Sequence, residues 1–240
     1  MMTKEQEHQI TDYLIFHRLP LDLLLEVKDH MVAQVADLQI SKNVDFDAAF
    51  LETKKCWADE FKIVSYSTFY REQIPVIVKN IAKARNNSMM GKALLFGLVV
   101  FAVNFILIYL STSESVYSII FRIYNSIVAV SPLIMWIFYP HVRKYIKRDF
   151  QYKGKVFYSI YQQNLGIYIG SVSIVFQLIN RDFYHAFRFF RMNEPVSAFS
   201  VIIDFALPFV LHFLIIFVLL NFFGHKKAIT KIQDFLRDHA

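Results

Sequence analysis

Four apolar runs, Ala93 to Leu110, Ile119 to Phe138, Val156 to Ile179 and Val201 to Phe223, each approach or exceed the roughly 20 residues that an α-helix needs to cross a lipid bilayer. The first 90 or so residues are different, being polar, charged and helically patterned. With 55% hydrophobic and 17% aromatic residues the chain is too apolar for an ordinary soluble domain. The expected fold is therefore all-α and polytopic, an N-terminal cytoplasmic helical bundle followed by a four-transmembrane-helix bundle. Its expected segments are a module over 1–62, an amphipathic juxtamembrane connector over 63–92, the spans 93–110, 119–138, 156–179 and 201–223, and a tail over 224–240.

A net charge of +6 could point to nucleic acid, but its placement points to lipid instead. Lys79, Lys83, Arg85 and Lys92 precede the first run, and Arg143, Lys144, Lys147, Arg148, Lys153 and Lys155 fill the link between the second and third. Lys226, Lys227, Lys231 and Arg237 follow the fourth. Positive charge gathers on the cytoplasmic side of membrane proteins, so both termini are expected in the cytoplasm and the location is the inner membrane. These belts also suit anionic headgroups, each nearby residue contributing about 1 kcal/mol. The charged start, Met1 to Gln9, lacks the apolar core of a signal peptide. Cys56 is the only cysteine, which leaves no intramolecular disulfide and suits a reducing compartment.

Within the module, Thr3 and Gln6 have capping-box spacing, so a first helix is expected to about Arg18. A second opens at Pro20 or Leu21 and carries Leu24, Val27, Met31, Val35 and Leu38 on one face. Asp45 is a good N-cap for a third, with Phe46, Phe50, Thr53, Trp57 and Phe61 on one side. So small a bundle buries a marginal core and calls for a partner: the next segment, the membrane surface, a second copy or another protein. Pro75 is expected to start a further helix whose Val76, Ile77 and Ile81 alternate with basic residues, in the manner of a helix lying near the headgroups.

Leu19-Pro20, Leu24-Leu25-Glu26, Asp29-His30 and Phe46, Ala48, Ala49, Phe50 resemble the helical HAAS signalling domain and the related permease prefix domain of bacterial membrane proteins. The resemblance covers about residues 10 to 62. It implies a helical cytoplasmic module ahead of several spans and, as partners, a PadR-type transcription regulator or an ABC permease.

The second prominent feature is a set of polar residues at one depth. Asn104, Arg122, Gln177 and Asp204 each fall three to six residues from the outer end of a run, roughly 5 to 9 Å at 1.5 Å per residue. Charge in hydrocarbon is costly, so one reading pairs Arg122 with Asp204 inside the bundle, with Asn104, Asn125 and Gln177 adding hydrogen bonds. The other lets Arg122 snorkel outward while Asp204 caps the fourth helix. His212, near the middle of the fourth run, could titrate, hold a proton or metal, or only hydrogen-bond within the bundle. Gln162, Gln163, Asn164 and Asn221 form a second polar group nearer the inner end. Gly166 and Gly170 present a GxxxG face for close helix packing, within the chain or between copies of a homo-oligomer. Pro132 and Pro208 should kink the second and fourth spans. The aromatic, arginine-rich link from Arg181 to Ser200 reads as an anchor at the outer interface.

No HExxH helix, nucleophile elbow, Walker loop or dinucleotide glycine motif occurs, so no cofactor, metal site or catalytic residue is expected. The expected function is non-enzymatic: a signalling or scaffolding component acting through residues 1–62. The alternative is an oligomeric channel or transporter subunit with a polar path through the bilayer.

Overall fold

The computed structural model describes residues 2–67, 70–146, 152, 155–180 and 183–238; Lys147, Arg148, Lys153 and Arg181 of the sequence pattern lie outside them. The described residues are mostly helical, with one two-stranded hairpin, an isolated bridge and short irregular links, and the chain divides into two compact units. The first gathers Met1–Asn86, Lys144–Gln162 and Gly224–Ala240; the second comprises Asn87–Arg143 and Gln163–Phe223.

In the first unit, helix α1 spans Lys4–Phe16 and opens with the expected capping box: Thr3 N–H donates to Gln6 Oε1 at 2.9 Å, and Gln6 N–H donates to Thr3 Oγ1 at 3.3 Å. Helix α2, Leu21–Lys42, starts directly after Pro20 and ends at Asn43 in the left-handed region (φ 50°), a conformation asparagine tolerates. Helix α3, Phe46–Cys56, is capped by Asp45, whose carboxylate accepts from Ala48 N–H at 2.9 Å. Leu14, Leu24, Met31, Val35 and Ala49 of these helices are fully buried in one apolar cluster.

The connector differs from expectation. Ile63–Ser67 (β1) and Tyr70–Pro75 (β2) pair antiparallel, with Val64 opposite Ile74 and Ser65 opposite Gln73. The run of Ile63, Val64 and Tyr66 suits a strand, but no Asn-Gly or Asp-Gly dipeptide announces the turn. Helix α4 then runs Val76–Leu110, starting one residue after Pro75. Its first-turn residues Ile77, Val78 and Ile81 pack on the cluster of α1, α2 and α3, so the amphipathic start serves a protein core. The same cluster takes in Tyr152, Val156 and Tyr158 from the link and Ile229, Ile232 and Phe235 from the last helix. The segment read as a tail over 224–240 is thus part of the first unit.

The second unit contains the rest of α4, α5 (Glu114–Phe138), the single turn α6 (Pro140–Arg143), α7 (Ile167–Asn180), α8 (His185–Phe187) running into a π-helical turn at Arg188–Met192, and most of α9 (Ala198–Asp238). Three helices, Val76–Leu110, Glu114–Phe138 and Ala198–Gln233, are long and apolar enough to cross a membrane. Leu95, Val99, Ile123 and Ile127 are each more than half exposed, a surface that water would not tolerate and lipid requires. The chain is a helical membrane protein.

The third apolar run departs from its expected continuous helix over 156–179. Val156 forms a bridge to Tyr152, residues 157–161 are irregular, and a 3-10 turn at Gln162–Gly166 leads into the 14 residues of α7. The physical reason is that Val156 and Tyr158 are apolar as core residues of the first unit, while Asn164 and Gly166 are weak helix formers just ahead of α7. Pro132 lies within α5 as expected. The carbonyl it strips of an N–H donor belongs to Val128, four residues earlier, and Ser131 Oγ donates to that oxygen at 2.7 Å.

Replacing Asp45 with alanine removes the α3 cap and is expected to lower the stability of the first unit by about 1 kcal/mol. Thermal unfolding of the purified protein, Asp45→Ala against wild type, checks this.

Candidate functional site

Two groups of buried polar side chains stand out, one in each unit. In the first unit the centre is Asp22, only 8% exposed and one residue into α2. Its Oδ2 meets Arg85 of α4 at 3.2 Å, and its Oδ1 accepts from the Ile160 N–H at 3.1 Å. Arg85 also reaches Glu26 at 3.7 Å and lies over the Tyr161 ring at 5.5 Å. Glu26 in turn faces Lys231 of α9 at 3.9 Å, and Leu21 N–H donates to Phe157 O at 2.9 Å. Three stretches distant in sequence therefore converge on the start of α2. Burial pushes the Asp22 carboxyl up to about 6 from an ordinary 3.8, against the opposing pull of the Arg85 guanidinium and the Ile160 amide.

Beside this node Ser159 Oγ and His225 Nδ1 are 2.7 Å apart, and Tyr161 N–H donates to the same hydroxyl at 3.2 Å. A hydroxyl against an imidazole is the first requirement of an activated nucleophile. Here both side chains are fully buried. Gly224 precedes His225, and a Cβ there would come within 2.8 Å of the Tyr161 ring, which explains why α9 needs a glycine at that turn.

In the second unit a hydrogen-bonded chain crosses three helices. His212 Nε2 of α9 lies 2.9 Å from Asn125 Oδ1 of α5, and Asn125 Nδ2 donates both to Asn104 Oδ1 of α4 at 3.1 Å and to Phe121 O at 2.8 Å. Asn104 Nδ2 donates to Phe101 O at 3.2 Å. Each of the three side chains is at most 2% exposed. Asp204, eight residues before His212, accepts from Ala186 N–H at 3.2 Å and faces His185 Nδ1 at 3.4 Å. Asn221, nine residues after it, accepts from Asn164 Nδ2 at 2.9 Å.

Of the polar layer expected from sequence, Asn104, Asn125 and His212 are joined directly. Asp204 is buried as expected and faces His185. Arg122 is half-buried and lines a small hollow with Asn125, Ser126, Val175, Leu178 and Leu211. Gln177 is exposed and belongs to no polar layer. Helix α7 turns Leu178 and Ser171 inward instead, which rotates Gln177 out.

The expected seam at Gly166 and Gly170 is not packed: a Cβ at either position would meet nothing within 4 Å. Close approach occurs at Gly97 of α4, where a Cβ would sit 3.3 Å from Phe213 Cα and 3.7 Å from the His212 carbonyl carbon. Ala93 and Gly97 do have the small-xxx-small spacing of close helix packing, a signal the more obvious GxxxG at Gly166 and Gly170 overshadowed. The link after α7 is more deeply built in than an interfacial anchor. Phe183, Ala186 and Phe187 are buried, Phe183 stacks on Phe121 at 5.0 Å, and Arg188 grips Glu114 at 2.8 and 3.1 Å.

Set beside known protein families, curated proteins and solved structures, the chain matches none.

Because the folded Asp22 carboxyl holds its proton more tightly than an unfolded one, it favours the folded state most below about pH 4, and that contribution is lost as pH rises through about 6. Lowering the pH from 7 to 5 is expected to stabilise wild type relative to Asp22→Asn by about 1 kcal/mol, read as a difference in the pH slope of the melting temperature. In the second unit, Gly97→Leu is expected to lower the melting temperature clearly while Gly166→Leu and Gly170→Leu leave it unchanged; a thermal-shift series in detergent distinguishes them.

Proposed function

We propose that this chain is a non-enzymatic integral protein of the bacterial inner membrane that relays or scaffolds an interaction through its N-terminal helical unit. It crosses the bilayer four times, both termini lie in the cytoplasm, and its partner is a soluble transcription regulator or a permease. The observation that carries this reading is the convergence on Asp22: α2, the start of α4, the 157–160 link and the end of α9 meet at one buried carboxylate and its neighbours. Helices α4 and α9 contribute residues to both units, so a change in the first unit acts on segments that continue into the second. The resemblance of residues 10 to 62 to HAAS and permease prefix domains points the same way.

The fourth crossing has a geometric basis. A 3-10 turn of 5 residues rising about 2.0 Å each, followed by 14 α-helical residues at about 1.5 Å, spans about 31 Å, close to the hydrocarbon thickness. The conducting alternative has less support, because the side chains of Asn104 and Asn125, and of Asn164 and Asn221, hydrogen-bond to each other inside the helix packing.

Cys56 is exposed and is the sole thiol, which makes it a clean reporter of sidedness. A membrane-impermeant maleimide is expected to label it in inverted vesicles and not in intact spheroplasts; labelling from outside overturns the topology. A cross-linker at Cys56 of the full-length protein is expected to capture one reproducible cytoplasmic partner in native membranes. Capture should fall at least several-fold with Phe16→Glu, which alters an exposed apolar side chain of the first unit. Absence of any reproducible partner counts against the relay.

A further inference from the structure

The Asn104–Asn125–His212 chain fixes which nitrogen of His212 carries hydrogen. Asn125 gives its amide protons to Asn104 Oδ1 and Phe121 O, so its own Oδ1 is an acceptor. His212 Nε2, 2.9 Å from that oxygen, must therefore be the N–H donor, and Nδ1 of the neutral ring carries a bare lone pair. That nitrogen is fully buried and has no hydrogen-bond partner among the described residues. A buried acceptor without a donor costs stability that no packing contact returns, and natural proteins retain such groups where they serve a purpose.

We propose that His212 is a proton-binding site of the second unit, with Nδ1 as the atom that takes the proton. The step is simple in balance: one proton from water adds to the Nδ1 lone pair, Nε2 keeps its hydrogen, and the neutral ring becomes an imidazolium. The Nε2–H bond to Asn125 becomes charge-assisted and polarises the amide chain towards Asn104. Around the ring, α5 presents Tyr124 with centroids 5.8 Å apart, and α4 presents Phe101 at 6.4 Å and the backbone at Gly97. Tyr124 is the one titratable group among these ring contacts, and its hydroxyl is committed to Val100 O at 2.6 Å. Beyond the ring contacts, the charged Arg122 of α5 lines a hollow with Asn125 and Leu211. The two aromatic rings favour a cation, yet nothing described accepts a hydrogen bond from Nδ1. Proton binding must therefore be accompanied by a local rearrangement where α4, α5 and α9 meet, which gives this unit two states distinguished by one charge.

The test is nitrogen NMR of the full-length protein in proteoliposomes, with all eight histidines labelled at both ring nitrogens. The His212 resonances are assigned by their disappearance in His212→Gln, whose amide can still donate to Asn125, or, should that variant not fold, by proximity to Tyr124 ring protons in wild type. Expected is a bare Nδ1 and a protonated Nε2 at neutral pH, with Nδ1 gaining a proton on acidification while the far-ultraviolet helical signal is unchanged. In Asn125→Leu the tautomer preference should fall about tenfold, so that a visible share of Nδ1–H neutral ring appears. The proposal is overturned if Nδ1 already carries the proton at neutral pH, or if it stays bare down to the pH at which helix is lost.

Discussion

A carboxylate removed from water at Asp22 is the constraint around which the first unit is built. Burying such a charge costs several kcal/mol unless partners replace its hydration, and the partners supplied are the Arg85 guanidinium and the Ile160 amide. They lie 63 and 138 residues away in sequence. The start of α2 therefore cannot reach its final environment until the chain has passed residue 160, and Ile229, Ile232 and Phe235 complete the same core still later. A head cut at residue 62 would lose the groups that neutralise Asp22 and a share of the apolar surface over α2. The marginal core inferred from residues 1–62 alone is thus completed by later parts of the same chain, before any external partner is considered.

Local signals in the sequence translated into structure almost residue by residue. Thr3 with Gln6, Pro20 and Asp45 set the starts of α1, α2 and α3 because each effect acts within a single helical turn. Long apolar runs were equally readable where hydrophobicity had one cause, as in α5. The run from Val156 failed because it has two: its first residues are apolar to fill a protein core, its later ones to form α7. Hydropathy sums both without distinguishing them. The hairpin at 63–75 was missed for a related reason, since its pairing is set by register across a turn that carries no strong dipeptide signal.

Depth was legible for the polar residues of the second unit, and azimuth was not. Counting along the runs put Asn104, Arg122, Gln177 and Asp204 at a similar level, but which of them face inward depends on how each helix is rotated. Helix α7 turns Ser171 and Leu178 inward and so carries Gln177 out, while the rotation of α5 places Asn125 between Asn104 and His212. The same dependence explains the glycines. Gly166 and Gly170 match the GxxxG spacing but lie on an open face, whereas Gly97, with only Ala93 four residues before it, sits where two backbones meet. Pattern spacing describes one helix, and close packing is a property of two.

On the relay reading, magnitude limits what the Asp22 node can do by itself. Moving a two-state element from 1:99 to 99:1 takes about 5.5 kcal/mol of differential interaction. A carboxyl held near 6 against an ordinary 3.8 supplies at most on the order of 3 kcal/mol across its full titration. Ionisation of Asp22 can therefore bias the first unit but cannot complete such a switch. The remainder has to come from a partner that binds one arrangement of α2, α4 and α9 more tightly than another, and the exposed apolar side chains of Phe16 and Ile40, 77% and 83% accessible, are separate points from which such a difference can be drawn.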